Sequence, residues 1–287
     1  MKFKFVHMTC IASVLCLLCI GKPVKANTPA FKKITIIVFE NENQDPTLKQ
    51  PFFKKMASDG VLLENMHAET HPSQGNYFAM IAGSVFNMSG PNGDDIIDLD
   101  ARHLGDLLED KGHTWKAYNE GYIGNCFQGK RKGSYVRKHN PFISFKNIQN
   151  DSARCAANIV NGDEFFDDIE SGKLPDVSFY VPDLNNDGHD TNVAFADKYF
   201  SRKFGPILKD PKFVQDMLFV VTFDESQVSA PNNLIYTVLW GDAVRSGTTS
   251  PQRLDHYSIL KLIEDTFGLA NLGQKDVTAS AITGIWK

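Results

Sequence analysis

Long apolar runs are nearly absent from this chain. Beyond Ile20 no segment reaches the roughly 18 consecutive apolar residues that span a bilayer, so no transmembrane anchor is expected. A surplus of positive charge is also missing: 30 Lys and Arg stand against 34 Asp and Glu, a net charge of −4. A nucleic-acid groove needs a basic stripe, so a nucleic-acid polymer is not an expected partner, although a mononucleotide would still fit. Cysteine is scarce. Of the five in the chain, Cys10, Cys16 and Cys19 fall near the N-terminus, which leaves Cys126 and Cys155. Neither belongs to a C-x-x-C pair, which argues against a thiolate metal site. There is no internal repeat, low-complexity tract or Pro/Ser-rich linker. Residues 27–287 therefore read as one domain, a length that suits a single large α/β unit.

What is present begins with a targeting pattern. Lys2 and Lys4 precede an apolar stretch from Ile11 to Ile20, and Val24-Lys25-Ala26 offers the small residues that a signal peptidase reads. Residues 1–26 are thus expected to be a signal peptide, with cleavage before Asn27, and the protein to be secreted or periplasmic. The rival is a lipoprotein anchor at Cys16 or Cys19, but Leu15 and Leu18 precede them where a small residue is wanted. Removing this segment takes away four lysines and no acid, leaving a charge of about −8. In an exported chain, Cys126 and Cys155 most simply form one disulfide that closes a loop of about 30 residues.

Short apolar runs rich in Val, Ile, Phe and Tyr read as strands: 34–39, 61–63, 114–118, 177–181, 217–223 and 234–240. They lack polar alternation and are separated by helical patterns at 76–82, 101–110, 165–171, 191–200 and 256–267. Strands apolar on both faces, alternating with helices, predict an α/β fold with a mostly parallel sheet covered on two sides. Residues 121–150, rich in Gly, Lys, Arg and Asn, read as a long covering loop pinned by the disulfide. Its Phe127, Tyr135, Phe142 and Phe145 have two readings, an apolar substrate surface or simple packing.

Polar clusters fall where three of these strands end, which is where open α/β sheets place ligands. Strand 34–39 runs into Glu40-Asn41, strand 217–223 into Asp224-Glu225, and strand 177–181 into a segment holding Asp183, Asp187, His189 and Asp190. Carboxylate and amide oxygens suit a hard divalent cation. Each cluster alone has a plainer reading as helix caps or loop solvation, and 183–190 also resembles half of a calcium loop without its terminal Glu. A reactive hydroxyl accompanies them in His71-Pro72-Ser73-Gln74-Gly75-Asn76-Tyr77. Ser73 is either an N-cap for the next helix or a nucleophile beside phosphate held at that helix N-terminus.

The set Glu40-Asn41, His71-Pro72-Ser73-x-x-Asn76-Tyr77, Asp187-Gly188-His189-Asp190, Asp224-Glu225 and His256-Tyr257-Ser258 resembles the bacterial and fungal phosphoesterase family of acid phosphatases and phospholipases C. That family belongs to the alkaline-phosphatase-like superfamily. The motifs occur in the family's order from Glu40 to about Glu264, and Arg137-Lys138-His139-Asn140-Pro141-Phe142 is similar to the acid phosphatase branch. The resemblance implies a three-layer αβα sandwich and metal-assisted phosphoryl transfer. Ser73 would be the nucleophile, and Glu40 or Asn41 with Asp224 and Glu225 would hold a divalent metal ion (Mg, Ca, Mn or Zn). Asp187, His189 and His256 would form a second metal site, or serve as phosphate ligands and general acid/base groups. His71 and Asn76 would contact the phosphoryl oxygens. One departure is Gly75, where the acid phosphatases commonly have a second proline. The implied substrate is a small phosphomonoester; the alternatives are a phospholipase C acting on phospholipid head groups and a non-catalytic phosphate-binding protein on the same scaffold.

Overall fold

The run KITIIVF at Lys33–Phe39 has β-branched side chains at five of seven positions, and every residue after Lys33 is buried. Such side chains are stiff at χ1, fit a pleated surface, and here face apolar neighbours on both sides. This strand, β1, is central to an eight-stranded sheet in a computed structural model that describes Met1 and residues 31–88, 98–228 and 230–287. Residues 2–26 of the expected signal segment lie outside the described residues.

The other strands in chain order are β2 (Val61–Leu63), β3 (Trp115–Asn119), β4 (Ile159–Asn161), β5 (Val177–Val181), β6 (Met217–Phe223), β7 (Thr237–Trp240) and β8 (Thr248–Ser250). Their spatial order is β8-β2-β7-β6-β1-β5-β3-β4. Every neighbouring pair is parallel except those made by β7, which runs against both β6 and β2. The mostly parallel sheet expected from the apolar runs is present. β4 and β8 were not expected: Thr248–Ser250 has no apolar residue, and Ile159–Asn161 follows directly on the helix Ser152–Asn158.

Helices cover both faces. On one side α1 (Pro51–Asp59) and a later helix, Val193–Phe204, pack on each other and on the sheet. Phe53 and Phe200 lie 5.1 and 5.3 Å from the Phe39 ring, and Phe53 lies 5.6 Å from Phe223. On the other side α2 (Gln74–Ala82) packs against α3 (His256–Phe267). Tyr77 and Phe142 there meet Phe179 of β5 at 6.5 and 5.9 Å. Each fully buried aromatic contributes about 1.5–3 kcal/mol, so these two clusters fix both layers to the sheet.

Residues 121–150 are more structured than an open loop. They hold a small hairpin, Arg131–Lys132 with Tyr135–Val136, two 3-10 turns and a short helix, Lys146–Gln149. Tyr135, Phe142 and Phe145 are buried in the core and Phe127 packs against it, so these rings are packing rather than a substrate surface. A Cys126–Cys155 disulfide ties the segment to the helix Ser152–Asn158.

Two stability measurements follow from this packing. Replacing both Cys126 and Cys155 by Ser should lower the unfolding free energy by about 3–4 kcal/mol in non-reducing denaturant titrations, because the unfolded chain regains the freedom of the loop; an unchanged midpoint would contradict that. On α3, Glu264 is buried, and burial followed by the nearby Asp276 pushes its carboxyl up to about 8. A folded-state value above the unfolded 4.5 means the proton stabilises the fold below pH 4.5, and this stability is lost as pH rises through 8. Glu264→Gln should therefore match the wild type near pH 4.5 and exceed it, by on the order of 2 kcal/mol, near pH 9.

Candidate active site

The strand register brings the first two acids together. Phe39 pairs with Phe223 across β1 and β6, so the next residues, Glu40 and Asp224, emerge side by side at the same edge. The Asp224 N–H still donates to the Phe39 carbonyl at 2.9 Å, which holds the two chains in step past the last pair. Asn41 then turns sharply in the left-handed region (φ 36°), which asparagine tolerates, and its N–H donates to Asp224 Oδ1 at 3.3 Å. The segment after β5 returns to the same place, where the Glu40 N–H donates to the Asp187 carbonyl at 3.2 Å.

Ser73 stands at the start of α2, yet it makes no side-chain cap bond there. Its Oγ donates to Glu40 Oε2 at 3.1 Å and lies 3.4 Å from Glu225 Oε1. Of its two sequence readings, the capping role is therefore absent, and the buried hydroxyl faces the carboxylates. Gly75 in the next turn fits for a steric reason: an added Cβ would sit 2.7 Å from Thr70 Cγ2 and 3.1 Å from the Met88 carbonyl oxygen. The chain thus replaces a proline's local stiffness by close packing.

The remaining expected residues surround this pair. His71 Nδ1 meets Glu225 Oε2 at 2.8 Å, and burial pushes its imidazole down. Asn76 accepts the N–H groups of Glu69 and Thr70 at 2.9 and 3.0 Å and donates to Thr70 O and Glu225 Oε2 at 2.9 and 3.3 Å. Its amide is thus occupied in holding the Ser73 turn. His256 is fully buried; its Nε2 meets the Phe223 carbonyl at 3.1 Å, so the proton sits on Nε2 and Nδ1 keeps a bare lone pair. Burial pushes this imidazole down to about 4, so it is neutral at pH 7. His189 is on the open side, with its N–H donating to Asp187 Oδ1 at 2.8 Å and its Nδ1 2.8 Å from Asp190 Oδ1.

Two residues join the site that the sequence reading had not selected. His139 is buried between Glu40 Oε1, at 2.9 Å from its Nε2, and Asp187 Oδ2, at 3.6 Å from its Nδ1. Burial opposes its charge, but Glu40 and Asp187 outweigh that and lift it to about 9; Glu40 in turn falls to about 2 against its own burial. Tyr77 stacks on the His139 ring at 5.1 Å and donates to Glu40 Oε1 at 3.1 Å. The signal in the sequence was a polar stretch, Arg137 to Asn140, inside a covering segment; the structure buries Arg137, His139 and Asn140.

Burial pushes the Asp224 carboxyl well up, and Glu40 and Glu225 add to this by repulsion. Among the described residues no group of three or more His, Cys, Asp or Glu side chains is arranged to hold a metal ion as it stands. The donors nevertheless fit one in kind. Asn41 Oδ1, Asp224 Oδ2 and His256 Nδ1 are buried without a hydrogen-bond partner, and the packed carboxylates call for a positive charge. By contrast, a cavity of about 780 Å³ lined by Trp115, Lys116 and Arg154 lies at the opposite end of the strands. Two of its cations, Lys116 and Arg154, are engaged by Asp168 and by Asp106 and Glu109, and it holds none of the residues gathered around Ser73.

Comparison with known proteins agrees with this geometry. The chain is 35% identical over 265 residues to a probable acid phosphatase of Kluyveromyces lactis, covering 88% of this chain and 62% of the relative. It is 32% identical over 265 residues to a phosphatidylinositol-3-phosphatase of Mycobacterium tuberculosis, covering 90% of this chain and 84% of that protein. The chain thus spans about three fifths of the length of the fungal acid phosphatases it matches. In fold it is similar to an alkaline phosphatase superfamily protein from Vibrio parahaemolyticus, with a TM-score of 0.62 at 12% identity over 88% of this chain and 72% of that one. The model of the phosphoesterase family matches residues 43–270, and the chain belongs to that family.

Proposed function

We propose that the protein is an exported hydrolase of phosphate monoesters that works through a phosphoserine at Ser73. The observation that carries this is the Ser73 hydroxyl, freed from capping and aimed at Glu40 and Glu225 at the start of a nine-residue helix. The positive end of that helix and its first-turn N–H groups favour an anionic phosphoryl group beside the hydroxyl. Both relatives described above are named as phosphatases, which favours a monoester over the diester of a phospholipase C. The N-terminal targeting pattern and the disulfide support export.

A serine hydroxyl is a weak nucleophile near neutral pH. Glu40, kept ionised by His139, accepts its hydrogen bond and orients Oγ for attack. Glu40, Asn41, Asp224 and Glu225 would hold a divalent ion. When bound, that ion supplies positive charge that lowers the hydroxyl pKa and neutralises the phosphoryl oxygens. Ser73 passes its proton to the Glu40 carboxylate that accepts its hydrogen bond and attacks phosphorus in line with the leaving oxygen, and the P–O bond to the alcohol breaks. His189 on the open side protonates that oxygen; His256, neutral and with its proton held by Phe223, is suited to accepting rather than giving. Water then attacks the phosphoserine, phosphate leaves, and the proton held by Glu40 returns to Ser73 Oγ. Asn76 and His71 fix the turn and Glu225.

Steady-state assays with a chromogenic phosphomonoester test this reading. Ser73→Ala should reduce kcat by about 10³-fold or more with the fold intact, and a chelator should abolish activity that added divalent metal restores. Undiminished turnover in Ser73→Ala would return that serine to a structural role. A rate on phosphatidylcholine far above that on monoesters would place the protein with the phospholipases.

A further inference from the structure

Charge is distributed unevenly along this chain. Between Gly121 and Asn150 there are six Lys and Arg and no Asp or Glu, in a protein whose net charge is −4. Three of the six are consecutive, Lys130-Arg131-Lys132, and all three are exposed at the hairpin that Gly133 turns with φ 59°. Like charges in a row repel one another, and the anions that offset them come from outside the segment, as Asp190 does for Arg131.

The hairpin is held at the site. The Leu184 N–H donates to the Ser134 carbonyl at 3.1 Å, which joins its tip to the segment carrying Asp187 and His189. The Arg137 N–H donates to the Lys130 carbonyl at 2.9 Å, and its buried guanidinium donates to the Gln128 carbonyl at 2.7 Å. One carboxylate then connects the hairpin to the chemistry. Asp190 meets His189 Nδ1 with Oδ1 at 2.8 Å and Arg131 Nη2 with Oδ2 at 3.2 Å. Arg131 Nε donates to the Gly133 carbonyl at 2.9 Å, so the guanidinium is fixed on two edges while the rest of the fork stays available.

We propose that Arg131 and Lys132 form a subsite for a second anionic group on the same substrate molecule, a carboxylate or a further phosphate borne away from the scissile phosphoryl. The inference rests on the hydrolase reading above and narrows it to doubly anionic phosphomonoesters. The leaving group departs on the side that His189 faces, and the basic hairpin borders that side through Asp190. A distal anion there meets a pre-oriented guanidinium and an ammonium, whereas a neutral leaving group meets neither.

The test uses the full chain with two series of alkyl phosphates of graded length, one ending in a methyl group and the other in a carboxylate. The wild type should favour the carboxylate series by about tenfold in kcat/KM, carried by KM, as expected for two exposed charges. That preference should fall as ionic strength rises from about 0.02 to 0.3 M, when screening shortens the Debye length. Arg131→Ala/Lys132→Ala should bring the ratio of the two series close to one, and Lys132→Glu, which makes the same net change of charge at one exposed side chain, should lower it to a similar extent. Turnover of both series at equal rates by the wild type, or a ratio that survives the double variant, would overturn the subsite alone. A preference seen only when anionic phospholipid vesicles are added would assign the hairpin to a membrane surface and overturn it as well. No turnover of either series would instead remove the hydrolase reading on which the subsite depends.

Discussion

The site depends on acidic side chains buried closer together than their charges allow. β1 and β6 run in parallel register until Phe39 and Phe223, and the next residues on each are carboxylates. Glu40 and Asp224 are therefore neighbours by the geometry of the sheet, with Glu225 and Asp187 brought in by adjacent turns. Their repulsion is offset on one side by His139, which pairs with Glu40 and pushes it down to about 2. On the other side it is not offset, and Asp224 is driven well up. One carboxylate is thus satisfied and the other frustrated, and Asn41 Oδ1 and His256 Nδ1 are also buried without a hydrogen-bond partner.

The aromatic layers explain how such an arrangement persists. Phe39 and Phe223 precede the two carboxylates and pack with Phe53 and Phe200, so the strand ends cannot splay to relieve the charge. Tyr77 serves both parts of the structure: it packs on Phe179, stacks on His139 and donates to Glu40. Stability and site geometry therefore share the same residues. The carboxylates at the strand ends and the basic hairpin are opposite in charge, and Asp190, which meets both His189 and Arg131, lies between them.

Much of this was legible in the sequence, because strands with apolar residues on both faces end abruptly in polar clusters. Glu40, Asp187 and Asp224 were readable from that change, and all ten selected residues lie in or around one locus. Ser73 was not decidable locally, since a serine before a helix has the same sequence whether it caps or faces away; only the absent cap bond separates the two. His139 was not decidable either. It sits in a segment whose Gly, Lys and Asn content reads as loop, and packing was only one of two readings of Tyr135, Phe142 and Phe145, which carry the segment into the core. β8 has no apolar residue and β4 continues directly from a helix, so neither stood out as an apolar run, and helix starts moved by two or three residues where Asn192 and His103 act as caps.

The central claim is that Ser73 carries the phosphoryl group between two half-reactions. Acid quenching during turnover of a phosphomonoester, followed by proteolysis and mass spectrometry, tests it at the atom concerned. The account predicts a peptide spanning His71 to Tyr77 that gains one phosphoryl group on Ser73, present when the quench is made during turnover, lost when substrate is exhausted before the quench, and absent from Ser73→Ala. A wild-type enzyme that turns over substrate at full rate while this peptide never becomes phosphorylated, with phosphate release going directly to water, would contradict it.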